Sequence, residues 1–365
     1  MLFCADLRTD SLMTSRREDK FAEVRAMDER PLVAVTIGDP AGVGPEVVAK
    51  ALASPQVYAA ARPLVIGDRW IVEEAQRICG SFQEIRCLDR PADGQYTQGT
   101  IDLLDVGSTS IGSIRPGQVQ GAAGHAAFEY LKRAVDLAMA GDVQSIATAP
   151  LNKEALRASG VPYLDHTEAL AGLTGSPNPM TIFVVRNLRI FFLTRHVSLA
   201  RACGEISHSS VVEGLVLVDR ALQRFGLVQA RIAVAALNPH GGEGGIFGDE
   251  EMTEIEPAVR EARSRGVNAF GPVPADAVFH MALVGQFDAV LSLYHDQGHI
   301  AAKTLDFERT VSITAGLPFV RSSVDHGTAF DIAGRGIASA VSMEEAIKAA
   351  GEWASRLRQH SGPAR

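Results

Sequence analysis

The sequence predicts an α/β fold built on a largely parallel central sheet, and three observations predict it. Short apolar, β-branched runs alternate with helix-like stretches from Pro31 onward. Several of these runs end where glycines, prolines or unusual polar residues begin. At 365 residues, 46% hydrophobic and 21% charged, the chain suits two subdomains or one large α/β domain with a deep cleft.

Residues 32–37 form the first expected strand, followed by glycines and a helix over 47–52. Residues 63–66 and 101–106 are further strands, and 122–140 is a long amphipathic helix. A strand at 143–148 ends at Ala149-Pro150. Residues 181–185 and 188–194 read as a hairpin turning at Arg186-Asn187, and 231–236 and 289–293 as buried strands. In such folds ligands gather beyond the carboxyl ends of strands. Neither an internal repeat nor a low-complexity tract is present.

Residues 1–30 carry mixed charge (Arg16, Arg17, Glu18, Asp19, Lys20) and lack the apolar centre of a signal peptide. A disordered or loosely docked extension is expected there, with Met13 or Met27 as alternative starts. The formal charge of -8, from 43 acids and 35 bases with no basic block, argues against nucleic acid as a partner. It leaves room for an anionic substrate, since a few placed cations suffice. Cys4, Cys79, Cys87 and Cys203 form no C-x-x-C pair, so a reducing, cytoplasmic setting is expected. No run approaches the roughly 18 apolar residues of a membrane helix.

Three histidines follow strand-like runs at similar offsets: His196, His240 and His295. Three imidazoles with an open position make a catalytic metal geometry. The plain alternative, a strand-end histidine bonded to backbone, stands equally for each. Gly38-Asp-Pro-Ala-Gly-Val-Gly-Pro-Glu46 opens a helix after the first strand and is neither G-x-G-x-x-G nor a Walker motif. It reads either as an anion cradle or as a tight turn with a capping acid. Residues 238–251 and 326–336 are polar, glycine-rich loops. Lys303 and Arg321 are candidate anion contacts or, read singly, solvated surface cations.

Six segments, in order, resemble one family. They are Thr36-Ile-Gly-Asp-Pro-Ala-Gly-Val-Gly-Pro-Glu46, Thr148-Ala-Pro-Leu-Asn-Lys153, His166-Thr-Glu168, Leu237-Asn-Pro-His240, Tyr294-His-Asp-Gln-Gly298 and Gly316-Leu-Pro-Phe-Val-Arg-Ser-Ser-Val-Asp-His-Gly-Thr328. The family is that of 4-hydroxythreonine-4-phosphate dehydrogenase and its relatives, and the likeness runs from about residue 31 to about 350. It implies an NAD-dependent, divalent-metal-dependent oxidation with decarboxylation of a small phosphorylated hydroxy acid, of the kind used in pyridoxine biosynthesis. His196, His240 and His295 would bind the ion at a homodimer interface, each site drawing on both subunits. Zinc is favoured there, and magnesium, manganese or cobalt also fit. His166, Thr167, Lys303 and Arg321 would contact the substrate, with Ser312 standing where the family usually has asparagine. Lys153, Asp296 and Lys303 are the candidates for the base.

A more distant resemblance to isopropylmalate and isocitrate dehydrogenases implies a two-lobed subunit with its active site in the interlobe cleft. Residues 31–140 with 306–365 would form one lobe, and 141–305 the other, carrying the metal ligands and the dimer contact. By the same likeness His326, Gly327, Asp331 and Gly334 would hold the NAD adenosine. Two departures bear on substrate. Asn152-Lys153 looks more like the branch acting on D-threonate or D-erythronate 4-phosphate, and Asp165 replaces a usual glycine before His166. Readings from other classes are a metal-dependent hydrolase with water activated by the three histidines, a phosphate acyltransferase, and a non-catalytic metabolite sensor.

Overall fold

A boundary between two units falls between Arg30 and Pro31. A computed structural model describes residues 28–177 and 179–360. The expected N-terminal extension, apart from residues 28–30, lies outside the described residues, as do Met13, Met27 and Cys4.

The second unit opens with β1 (Leu32–Thr36), α1 (Gly44–Ala51), α2 (Pro55–Ala60), β2 (Arg62–Gly67), α3 (Arg69–Cys79), β3 (Glu84–Cys87) and β4 (Thr100–Asp105). Next come α4 (Gly121–Ala140), β5 (Ser145–Thr148), α5 (Lys153–Ala158), α6 (His166–Thr174) and the hairpin β6 (Met180–Val185) and β7 (Leu188–Phe192). The middle segment continues through α7 (Leu199–Glu205), α8 (His208–Arg224), β8 (Ile232–Ala235), α9 (Glu256–Ser264), β9 (Ala269–Val273) and α10 (Ala275–Leu283). The chain closes with β10 (Ala289–Ser292), α11 (His295–Leu305), β11 (Val311–Ala315), β12 (Val320–Val324) and α12 (Val341–His360).

Among the described residues the strands form one sheet in the order β3-β4-β2-β1-β5-β12-β11-β6-β7-β10-β8-β9. The first six in that order are mutually parallel, and so are the last four. Antiparallel pairing at β12-β11, β11-β6 and β6-β7 joins the two blocks. The expected hairpin is present, with Val185 opposite Leu188 and Arg186 at φ 52° in the turn.

Strands β1, β8 and β10 are buried along their whole length, as strands covered by helices on both faces must be, and their near-continuous apolar runs follow from that. One cluster of buried apolar side chains gathers β1, β2 and β4 with α1, α4 and the start of α12. Others lie around β7, β8 and β10 with α8 and α9. Trp353 of α12 meets Phe225, after α8, edge to face at 4.6 Å. No helix among the described residues is long and apolar enough to cross a membrane.

Strands β11 and β12 are central and buried, yet they read Val-Ser-Ile-Thr-Ala and Val-Arg-Ser-Ser-Val. Such polar content in a central strand needs polar partners, and those partners are the candidate site.

Candidate active site

Cross-strand partners share a sheet face. The register places Ser323 opposite Thr148 and Ser312, and Thr314 opposite Arg321 and Thr181. Hydroxyls from four adjacent strands therefore share the sheet face that carries Arg321. Arg321 donates from Nη2 to Thr148 Oγ1 at 2.7 Å, from Nε to the same oxygen at 3.1 Å, and from Nη1 to Thr314 Oγ1 at 3.3 Å. It is 5% exposed, and no carboxylate is bonded to it. Burial lowers its pKa to about 10, against the raising influence of Asp165. The surface-cation reading fails for Arg321. An uncompensated buried charge costs several kcal/mol, so it is expected where a ligand brings the counter-ion.

Asp165 stands at the N-cap of α6 in extended backbone. Its Oδ1 accepts the N–H groups of Thr167 at 2.9 Å and Glu168 at 3.0 Å, while Oδ2 lies 3.4 Å from Lys153 Nζ. The acid that replaces the usual glycine thus caps a helix and pairs with a lysine. Asn152 caps α5 in the same way, accepting from Ala155 N at 2.9 Å. His166 follows the cap, and its pKa is held well below the ordinary value, by desolvation first and then by the Arg321 charge. Thr167 beside it is partly exposed.

Two of the three candidate metal ligands meet. The rings of His196 and His295 lie 5.8 Å apart and line one pocket of about 250 Å³ with Arg195, Tyr294 and Asp296. His295 Nδ1 is 2.7 Å from Asp296 Oδ1, which leaves Nε2 for a ligand. The ring of His299, one turn along α11, stacks on His295 at 3.5 Å and packs against Phe183 and Phe192. Gln297 fixes the start of α11, accepting from Leu293 N at 2.8 Å and donating to the carbonyl of Ala236, past the end of β8, at 2.8 Å.

His240 stands apart. It is exposed on the loop after β8, near Phe247, and no group of three His, Cys, Asp or Glu side chains among the described residues is placed to hold a metal ion. Within one chain the trio therefore does not converge. His240 to Gly245 all have positive φ, a conformation costly for His240 and Glu243. Buried Glu251 holds the root of this loop through the N–H groups of Leu237 and Asn238 and the Asn238 amide, at 2.7–2.9 Å.

The glycine-rich 38–46 segment is a tight turn, but without the expected capping acid: Val43 stands at the N-cap and no side chain caps the helix. A Cβ on Gly42 would fall 2.8 Å from Thr328, and one on Gly44 2.3 Å from the Ile37 carbonyl oxygen. Glu46 accepts the N–H groups of Gly334 at 2.6 Å and Gly336 at 2.7 Å. The helix start is thus filled by the 326–336 loop, and no anion need be placed there. Asp39 is fully buried, with one oxygen unpartnered. Burial pushes its carboxyl up to about 6, against the N–H groups of Ala41 and Asn152.

The candidate cofactor residues separate on that loop. His326 lines a pocket of about 250 Å³ with Val43, Phe307, Ala329, Ile332 and Ala338. Gly334 lines a different one, of about 520 Å³, with Trp70 and Ile114. Gly327 and Asp331 are exposed and line neither. His326 Nδ1 lies 2.9 Å from the Gly327 carbonyl, and its buried Nε2 has no partner.

Each candidate base already has a neighbour: Lys153 has Asp165, Asp296 has His295, and Lys303 has Asp325 at 2.7 Å. The charges also connect in space. Lys303 and Asp325 act on His299, His299 stacks on His295, and Arg195, Lys153 and Asp165 act on His196. Arg195 donates to Thr181 Oγ1 at 2.6 Å, and burial lowers its pKa. Sequence reasoning missed Arg195, Thr148, Thr314 and Gln297. For Arg195 the signal was its place beside His196, at the end of the hairpin.

Known proteins match this arrangement over nearly the whole chain. A protein of Symbiobacterium thermophilum, provisionally named a D-threonate 4-phosphate dehydrogenase, is 56% identical over 91% of this chain and 99% of its own. The crystal structure of 4-hydroxythreonine-4-phosphate dehydrogenase from Klebsiella pneumoniae matches with a TM-score of 0.82 at 42% identity, covering 89% of this chain and 98% of the other. That of a 4-hydroxythreonine-4-phosphate dehydrogenase from Burkholderia phymatum matches with a TM-score of 0.79 at 45% identity, with the same coverage of 89% and 98%. Together with the fold and the site, these likenesses define an enzyme, a dehydrogenase acting on a CH–OH group. The family described as pyridoxal phosphate biosynthetic protein PdxA matches residues 59–350, and the chain belongs to it.

Proposed function

We propose that this enzyme oxidises a small hydroxy acid bearing a terminal phosphate, and that the β-keto acid so formed loses carbon dioxide. The observation that carries the reading is Arg321, a buried guanidinium held by two threonine hydroxyls and bonded to no carboxylate. Arg321, Lys303, His166 and Thr167 would hold the phosphorylated acid, and Ser312, on the Arg321 face of the sheet, would add a hydroxyl. A relative at 56% identity provisionally named for D-threonate 4-phosphate, together with Asn152-Lys153, favours D-threonate or D-erythronate 4-phosphate. The 42% and 45% identical structures support 4-phosphohydroxythreonine as the second reading.

The residues present suit a divalent ion and a dinucleotide. His196 and His295 would supply two imidazoles, and His240 of a second copy the third. Support for sharing the site comes from the exposure of His240 on its held loop, apart from the other two. Two lobes, 31–140 with 306–365 and 141–305, would enclose the site, although the buried clusters cross those bounds: residues between Val143 and Leu170 contribute to the first cluster, and Ile313, Trp353 and Ala354 to the second. The apolar pocket at His326, with its unpartnered Nε2, would take the adenine of NAD.

When bound, NAD would accept the hydride and the ion would polarise the hydroxyl and offset the charge that develops as carbon dioxide leaves. The chain's own groups position. Arg321 and Lys303 would fix the phosphate, so that binding energy remote from the carbinol orients it. Asp296 would hold the His295 ring through Nδ1, and His299 supports its face. A hydrolase or acyltransferase would make no NADH. Parallel assays of NADH formation on D-threonate 4-phosphate, D-erythronate 4-phosphate and 4-phosphohydroxythreonine test the reading, and no absorbance change with any of them would overturn it.

A further inference from the structure

Asp165 has no role in the reading above, yet its carboxylate stands among the cations of the site. Its Oδ1 takes the N–H groups of Thr167 and Glu168, amides that the first turn of α6 would otherwise offer to an anion. Its Oδ2 is 3.4 Å from Lys153 Nζ. Half-buried Arg195 bonds Thr181 and buried Arg321 bonds Thr314, directly opposite Thr181 on the same sheet face, and the charge of Asp165 supports both guanidiniums. Glu168 closes the same turn, accepting Leu164 N at 2.7 Å, so the cap is held from both sides.

We propose that Asp165 is a specificity-determining residue, a built-in carboxylate that competes with free anions for Lys153, Arg195 and Arg321. Inorganic phosphate meets a site whose helix amides are spent and whose cations are partly offset. A phosphorylated acid brings a second anchoring group and overcomes the same opposition, because two linked contacts cost less to form than two separate ones. The inference deepens the proposed function, since it concerns the selectivity of that same site. A helix cap alone would account for the two amide bonds but not for the charge. Asparagine and serine cap helices about as well as aspartate and carry no charge, so they separate the two roles.

The test is calorimetric titration of inorganic phosphate into wild type, Asp165→Asn and Asp165→Ser, at low salt and at high salt, with melting temperature recorded for each. Both variants are expected to melt near wild type and to bind phosphate about 5- to 10-fold more tightly at low salt, with the gap narrowing at high salt. The gain should vanish in the Asp165→Asn/Arg321→Met double variant, which locates the anion at that guanidinium. Unchanged phosphate affinity in both single variants overturns the proposal, as does a gain that survives the double variant. Titration needs no turnover, so failure of every acid in the substrate assays would leave this result readable by itself.

Discussion

Lys303 Nζ lies 2.7 Å from Asp325 Oδ2, so a lysine on α11 is paired with an acid that lines the pocket at His326. The pair is about one-third exposed on the lysine side, and an incoming phosphate would share the ammonium with the aspartate. Lys303→Met is expected to raise KM for the phosphorylated acid by about 10- to 100-fold, with a smaller fall in kcat. Steady-state kinetics check this, and an unchanged KM would remove Lys303 from the substrate site.

Arg321 sets function against stability. Replacing a buried charge by an apolar side chain of similar volume is often neutral or stabilising, and here it removes only bonds to two threonine hydroxyls. Arg321→Met is therefore expected to melt at or above the wild-type temperature while losing about 100-fold or more in kcat/KM. A large drop in melting temperature would show that Arg321 serves the fold instead.

Asp39 gives a pH dependence with a defined sign. Its folded pKa of about 6 lies above the unfolded 3.8, so the folded state binds this proton more tightly. The contribution is fully present below about 3.8 and is lost as pH rises through about 6. Relative to Asp39→Asn, wild type should gain about 2.4 kcal/mol between pH 7 and pH 4. Urea unfolding of both proteins across that range measures it, and a constant difference would refute the assignment.

The metal prediction follows from His240 standing away from His196 and His295 within one chain. His196→Ala and His240→Ala are each expected to lose bound metal. Co-expressed together, the two variants should recover about a quarter of the sites, since half of the dimers formed are mixed and each of those keeps one intact site. Metal content by atomic absorption decides. Retention in either single variant, or no recovery on mixing, contradicts a shared site.

Most of the alternating fold was legible because strands such as β1, β8 and β10 are apolar on both faces and stand out in the sequence. Strands β11 and β12 were not, because Ser312, Thr314, Arg321 and Ser323 line a polar face that hydrophobic periodicity cannot register. The three histidines were visible as strand-end residues, but their relation in space was not. Two lie near each other, and the third sits on a loop whose geometry depends on Glu251. The glycine segment at 38–46 suggested an anion cradle, yet the loop that fills it arrives nearly 290 residues later in the chain. Arg195 carried a local signal in its place beside His196, but its partial burial depends on packing that hydrophobic periodicity does not register.

On the proposed reading, the buried Arg321 guanidinium, bonded to no carboxylate, selects a phosphorylated hydroxy acid for oxidation. The most direct measurement compares NADH formation on D-threonate 4-phosphate and on unphosphorylated D-threonate, for wild type and Arg321→Met, with NAD and a divalent metal supplied. Wild type should favour the phosphorylated acid by about 1,000-fold or more in kcat/KM, and the variant should lose most of that preference. Equal turnover of both acids by wild type, or a preference that survives the loss of Arg321, would contradict the account.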